Sequence, residues 1–320
     1  MVNVLITGAA GFMGSHLAET FLAGGHRVVG LDNFDPYYDR EIKERNLTHL
    51  RNTESFELVE GDIRNADDVR ETFEKAKPDY VLHWAAKAGV RPSLQQPAAY
   101  AAVNVEGTVN ILEACRNFDV EKLIFASSSS VYGADTPLPF SETADIRHPI
   151  SPYAATKVAS EAVCYTYHHL YDLPVICLRL FTVFGPRQRP DLAINKFVRL
   201  MFFGEPLPLY GDGSSTRDYT YVEDVVRAVF QAIEADIAFE IINIGSGSPV
   251  TLADLVSLLE TVSGVEAKVQ HLPDQPGDVP HTYADITRAR DLLDWEPQVG
   301  HEEGLKAFVE WFKNQPQFDS

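Results

Sequence analysis

The sequence is short of positive charge: 27 Lys and Arg face 46 Asp and Glu in 320 residues, a formal net charge of −19. A nucleic-acid binder advertises a basic face, and this composition offers none. An acidic excess of this kind serves solubility, so any phosphate-bearing ligand must be held by individual arginines against the overall field. Cysteine is scarce. Cys115, Cys164 and Cys177 show no C-x-x-C spacing, which speaks for buried free thiols in a reducing compartment. The histidines form no H-E-x-x-H pattern, and adjacent His168 and His169 point apart on a helix; no metal site is expected. No apolar run approaches membrane-spanning length, and no basic and apolar leader precedes the first strand. The pattern therefore predicts no membrane span, no signal peptide and a cytoplasmic location. What is plentiful is apolar: 45% of the residues are hydrophobic, enough for a large core in about two domains.

Residues 2–6 read as a strand, followed by Thr7-Gly8-Ala9-Ala10-Gly11-Phe12-Met13-Gly14 and an amphipathic helix. In this G-x-x-G-x-x-G, Gly8 allows a tight turn, Gly11 a close approach of backbone to pyrophosphate, and Gly14 close packing of the helix. The helix N-terminus then offers unpaired N–H groups to the phosphates. A second strand, 27–31, ends at Asp32, whose carboxylate suits an adenosine ribose and repels a 2′-phosphate; that favours NAD over NADP. Residues 34–51 form an insert, with a turn at Asp35-Pro36-Tyr37-Tyr38 and a charged helix behind it. A strand at 56–59 leads to Asp62-Ile63, where the carboxylate can meet an adenine amine or cap the helix at 66–76. A further strand, 80–84, reaches the small Ala85-Ala86, then Lys87 and Arg91, then a helical pattern from Asn104 through Cys115. Strands alternating with helices in this way predict an α/β fold with a doubly wound parallel sheet.

Two later stretches carry the chemistry. Strand 122–126 runs into Ser127-Ser128-Ser129-Ser130-Val131-Tyr132-Gly133, and Ser151-Pro152-Tyr153-Ala154-Ala155-Thr156-Lys157 opens a helix. Tyr153 and Lys157 are four apart and share a helix face. A cation beside a phenol favours phenolate. Lowering a tyrosine from about 10 to near neutrality takes about 4 kcal/mol, within reach of a desolvated lysine plus a positively charged nicotinamide. Tyr153 is thus a candidate proton acceptor.

Together these motifs resemble the extended short-chain dehydrogenase/reductases and, more narrowly, the nucleotide-sugar 4-epimerases. Residues 185–193, Gly-Pro-Arg-Gln-Arg-Pro-Asp-Leu-Ala, look like the G-P-R-Q-R-P-D-M-A stretch of UDP-glucuronate 4-epimerases, with Leu192 for methionine. The resemblance implies a Rossmann domain over 1–180 with 218–245, and a smaller α/β substrate domain over 181–217 with 246–320. It implies NAD on Gly8, Gly11, Phe12, Met13, Gly14, Asp32, Asn33, Asp62, Ile63, Ala85, Ala86, Lys87, Asn104, Ser127, Tyr153 and Lys157. It implies a UDP-sugar on Arg91, Ser128, Ser129, Ser130, Thr182, Arg189, Arg217, Asp278 and Thr282. Arg217 would grip the diphosphate with its planar fork, and Asp278 would accept from the uridine ribose. Tyr153, Lys157 and Ser129 would be catalytic, and the apolar stripes on the Asn104 and Tyr153 helices would pair in a homodimer.

Within that family, related decarboxylases and 4,6-dehydratases carry an acid where Ser130 stands. A hydroxyl cannot act as a base near pH 7, so the resemblance favours epimerisation. A glucuronate oxidised at C4 is a β-keto acid prone to losing carbon dioxide. Ser128, Ser129 and Thr182 could hold its carboxylate in the ring-keto plane, where overlap for cleavage is poor. Thr282, where a bulky tyrosine would confine the site to galactose and glucose, leaves room for a C6 carboxylate or a C2 acetamide. UDP-galactose or UDP-N-acetylhexosamine epimerisation, UDP-glucuronate decarboxylation and a non-catalytic NAD-binding regulator are the competing expectations.

Overall fold

The computed structural model describes residues 1–273 and 279–315. Its centre is one parallel sheet built from β1 (Asn3–Thr7), β2 (Arg27–Asp32), β3 (Phe56–Glu60), β4 (Tyr80–His83), β5 (Lys122–Ser128), β6 (Val175–Leu180) and the late strand Phe239–Ile244. The order across the sheet is Phe239–Ile244, β6, β5, β4, β1, β2, β3. Every pairing is parallel. Helices cover both faces, so the strands are near-continuous apolar runs, as a sheet buried on two sides requires; all seven residues of β5 are buried. The strand order reverses direction between β1 and β4, the place where such sheets leave a crevice at their carboxyl ends.

The connecting helices begin with α1 (Phe12–Ala23), α2 (Arg40–Asn46) and α3 (Ala66–Ala76), followed by α4 (Val90–Gln95), α5 (Pro97–Ala101), α6 (Gly107–Asn117) and α7 (Pro152–Tyr171). Asn65, not Asp62, caps α3: its side chain accepts from Asp67 N. Between α5 and α6 a single π-turn, Ala102–Glu106, carries Asn104 inward. Such turns interrupt helices where a side chain must be re-aimed. Ser151 caps α7 by accepting from Ala154 N at 3.1 Å, with Pro152 at its first position, so the helix starts one residue before Tyr153.

Beyond β6 the chain makes only two-stranded pieces: Thr182–Phe184 with Tyr219–Tyr221, Thr216–Arg217 with Val250–Thr251, and Leu207–Tyr210 with Val269–Leu272. A separate apolar cluster, including Phe184, Phe197, Leu209, Leu259 and Phe308, packs these pieces against helices Ala193–Phe202, Leu252–Ser263 and His301–Lys313. Asp218, fully buried, ties them together. Its carboxylate accepts from Ser246 N (2.6 Å), Ser246 Oγ (2.8 Å), Gly247 N (3.1 Å) and Ala284 N (3.0 Å). Its backbone N donates to Thr282 Oγ1 at 3.0 Å, and its carbonyl accepts from Thr182 N at 3.0 Å.

Candidate active site

A cleft of about 410 Å³ opens at the carboxyl ends of the parallel strands. The glycine loop makes its floor. Gly8 sits at φ +72°, and a Cβ there would lie 2.9 Å from Ala85 N; a Cβ on Gly14 would lie 2.1 Å from Gly8 O. No side chain fits at either place, so bare backbone and the start of α1 face the cleft, as a polyphosphate needs. Thr7 Oγ1 accepts from Ala85 N at 3.0 Å and bonds the His83 ring at 2.7 Å, which fixes the end of β4 against β1. Burial, with Lys157 nearby, pushes His83 down to about 3, so its ring is neutral at ordinary pH.

Asp32 ends β2 inside the same cleft. Its carboxylate accepts from Ala10 N at 3.0 Å and Phe34 N at 2.8 Å. Burial raises its pKa and Lys43 opposes the rise. Opposite, β5 ends in the serine turn: Ser128 accepts from Ser130 N at 3.2 Å and donates to Ser130 Oγ at 3.2 Å, and Ser127 donates to Glu161 at 2.5 Å. Tyr153 and Lys157 reach the cleft from α7.

The electrostatics of this pair differ from expectation. Burial pushes the Tyr153 phenol above the ordinary tyrosine range, with a Ser128 hydrogen bond and the Arg189 charge pulling it back. Lys157 is not among the groups that shift it. Its ammonium instead donates to Ala126 O at 2.6 Å, 4.8 Å from the centre of the Phe125 ring. Burial lowers Lys157 to about 8, against the pull of Cys164, Glu161 and Cys177. The chain alone therefore does not make the phenol acidic.

Most of the residues expected at a site do meet here. Gly8, Gly11, Phe12, Met13, Gly14, Asp32, Asn33, Ile63, Ala85, Ala86, Lys87, Ser127, Ser128, Ser129, Ser130, Tyr153, Lys157, Thr182 and Arg189 all line the one cleft. Five others do not. Asp62 is held by Arg64 (2.6 Å) and Asn33 (2.9 Å), which keep its carboxyl well below the usual range, Arg64 first. Asn104 spends its amide on Lys87 N (2.8 Å), Lys87 O (2.9 Å) and Thr156 Oγ1 (2.9 Å), bracing the loop after β4. Thr282 is buried, its hydroxyl accepting from Asp218 N. Arg217 donates to Thr216 O (2.9 Å) and Pro280 O (3.1 Å). Arg91 lies 5.6 Å from the centre of the Tyr210 ring. Asp278 lies outside the described residues.

The insert after β2 supplies lining residues that sequence reasoning passed over: Asp35, Tyr37, Tyr38 and Lys43. Lys87 pairs with Asp35 at 3.1 Å, and Lys43 donates to Asp35 O at 2.9 Å. Tyr37 reaches across and donates to Asp191 at 3.1 Å, beside the Arg189 guanidinium that the same Asp191 holds at 2.7 Å. A tyrosine pair five residues after the acid that closes β2, with a lysine in the helix behind it, was the available signal. Trp84 also lines the cleft, and its Nε1 is buried with no partner among the described residues.

The model of the NAD dependent epimerase/dehydratase family matches residues 4–245. The chain belongs to that family. The UDP-glucuronate 4-epimerase of Thermodesulfobacterium geofontis is 41% identical over 310 residues, covering 97% of this chain and 95% of that protein. The Bacillus cereus UDP-glucuronic acid 4-epimerase, solved in complex with UDP-glucuronic acid and NAD, is 37% identical with a TM-score of 0.91, covering 97% of this chain and 98% of that one. The Thermotoga maritima UDP-glucose 4-epimerase, solved with UDP-glucose, is 35% identical with a TM-score of 0.90 over the same shares. As a family member the chain has the Rossmann-type sheet of these neighbours, with its glycine loop at the floor of the cleft. Among the described residues no helix is long and apolar enough to cross a membrane.

Proposed function

We propose that the chain is an NAD-dependent UDP-sugar 4-epimerase that interconverts UDP-glucuronate and UDP-galacturonate. The observation that carries this reading is that Tyr153, Lys157 and the serine turn share one cleft with the glycine loop and Asp32. The residues present fit NAD: a floor with no room for a Cβ at Gly8 and Gly14 suits its pyrophosphate, and the Asp32 carboxylate, oriented by two backbone N–H groups, suits its adenosine ribose. The larger half, 1–180 with 218–245, would hold the cofactor, and 181–217 with 246–320 the sugar nucleotide.

When bound, oxidised NAD supplies a hydride acceptor and a positive charge, and the reaction returns the hydride to the opposite face of C4 with no net redox change. Tyr153 Oη takes the proton of the C4 hydroxyl. Ser129 holds that oxygen, and NAD, where bound, would supply a positive charge that lowers the phenol pKa. Lys157 commits one of its three N–H donors to Ala126 O, leaving donors for a ribose hydroxyl. Ser128 and Thr182 hold the C6 carboxylate in the plane of the new carbonyl. Two copies of the chain pair through the apolar stripes of the Asn104 and Tyr153 helices; on the latter Tyr165, Leu170 and Tyr171 are exposed. Similarity to enzymes of UDP-glucuronate at both sequence and structural level supports that sugar over UDP-glucose.

Incubation with UDP-glucuronate, followed by NMR, tests the reading: UDP-galacturonate is expected. Pentose with carbon dioxide, or no turnover, overturns it. In the same assay Thr182→Val is expected to raise the pentose fraction severalfold.

A further inference from the structure

Behind the serine turn lies a buried ion pair that no step above uses. Glu161 and Arg179 are 3% and 2% exposed, and neither lines the cleft. Arg179, on β6, forks onto the carboxylate with Nε to Oε1 at 2.9 Å and Nη2 to Oε2 at 2.8 Å. Glu161 lies on α7 four residues after Lys157 and eight after Tyr153, on the same helix face. Ser127 Oγ donates to Glu161 Oε1 at 2.5 Å, and Lys157 Nζ donates to Ala126 O at 2.6 Å. Two consecutive residues of β5 are thus pinned by two consecutive turns of α7.

The pair also points away from the cleft. Arg179 Nη1 donates to Tyr132 Oη at 3.0 Å, and that hydroxyl donates to Asn243 Oδ1 at 2.6 Å. Asn243 Nδ2 donates in turn to Phe140 O (2.8 Å) and Asp285 O (3.1 Å). The hydrogen-bonded path runs from the helix of Tyr153, beneath the serine turn, to the segments that enter the smaller half. As a stabilising device such a pair is weak: the cost of drying two charges cancels most of their attraction, and well-packed apolar residues often do as well. A pair that adds little stability but fixes geometry on three elements at once has a geometric use.

We propose that Glu161 and Arg179 are positioning residues that set the rotation of α7 against the end of β5, and with it the separation between the Tyr153 phenol and the serine hydroxyls. This rests on the reading of Tyr153 as proton acceptor. Neither residue touches the reacting atoms. The Tyr132–Asn243 arm holds the same register against the segments at 140 and 285.

The test is the double variant Glu161→Met/Arg179→Met in the full chain, assayed with UDP-glucuronate beside Tyr153→Phe. Expected is a tenfold or greater fall in kcat with KM, cofactor affinity and melting midpoint close to the parent's. A folded double variant with kcat within twofold of the parent overturns the inference. So does a loss shared equally by kcat, KM, cofactor affinity and melting, which is what a merely structural pair would give. If the double variant does not fold, Tyr132→Phe removes a single hydroxyl outside the cleft. A severalfold fall in kcat at unchanged KM supports the arm, and an unchanged kcat overturns it. Full activity in Tyr153→Phe would instead sink the proposed function, whatever the double variant does.

Discussion

The floor of the cleft and its far wall are built in different ways. The floor is backbone: Gly8, Gly14, Ala85 and Ala86, packed so closely that a Cβ has no room at two of the four. The far wall carries Arg189, and it and the two other arginines expected to hold the sugar nucleotide, which stand outside the lining, are already engaged. Arg189 is forked onto Asp191 at 2.9 and 2.7 Å, Arg217 is turned onto two carbonyls, and Arg91 lies over Tyr210. Backbone cannot change partners, so a floor of this kind exists in full before a ligand arrives. A guanidinium can, and must exchange one acceptor for another on binding. Net affinity on that wall is the difference between two good contacts, which is smaller than either.

Breaking the chemistry between floor and wall has the largest expected effect. Tyr153→Phe should lower kcat by about 10²–10⁴-fold, the span of general acid–base catalysis. Cofactor affinity, measured by calorimetry, should stay near that of the parent. Next comes the floor itself. Gly14→Ala places a methyl group 2.1 Å from Gly8 O, and overpacking of this sort costs about 1–3 kcal/mol. Melting and cofactor titration should both register it, while a variant that binds NAD as tightly as the parent would show the floor to be less rigid than described. The wall should respond more gently. Arg217→Ala is expected to raise KM for UDP-glucuronate about tenfold, the order of one charge-assisted contact, with kcat within a few-fold. The smallest effect is that of pH. Lys157 titrates near 8 because burial disfavours its ammonium. A lysine is charged below its pKa, so the rate should decline severalfold as pH rises through that value. A profile flat to pH 10 would show that the ammonium is not required.

The same contrast governs what could be seen in advance. Continuous apolar runs announce a sheet buried on both faces, and the G-x-x-G-x-x-G between the first strand and helix announces its floor, because both depend on neighbours in the chain. The bounds of α3 and the cap at Ser151 are local in the same sense. Asp62 was ambiguous because a carboxylate at a strand end can meet a ligand or cap the next helix, and local pattern does not rank the two; Asn65 takes the cap. The roles of Thr282 and Tyr37 were out of reach for another reason: their partners stand 64 and 154 residues away. Asn104 was expected against the cofactor and instead serves the loop that lines it. A buried amide shows which groups satisfy it only once the fold brings them near. The acidity expected of Tyr153 was assigned jointly to Lys157 and a nicotinamide, and the share of Lys157 turns on direction. Spacing puts Lys157 on the right face of α7, yet its ammonium goes to a carbonyl of β5.

Asp218 carries a consequence for anyone wishing to change which hexose the cleft accepts. In the parallel sheet seven strands share the work of holding one another; beyond it one residue, Asp218, holds the segments at 246 and 284 by its carboxylate and those at 182 and 282 by its backbone. Of the residues so held, Thr182 lines the cleft, so selectivity can be retuned there with the glycine loop untouched. The Asp218 carboxylate offers no such freedom, since shortening or neutralising it would release the segments at 246 and 284 together.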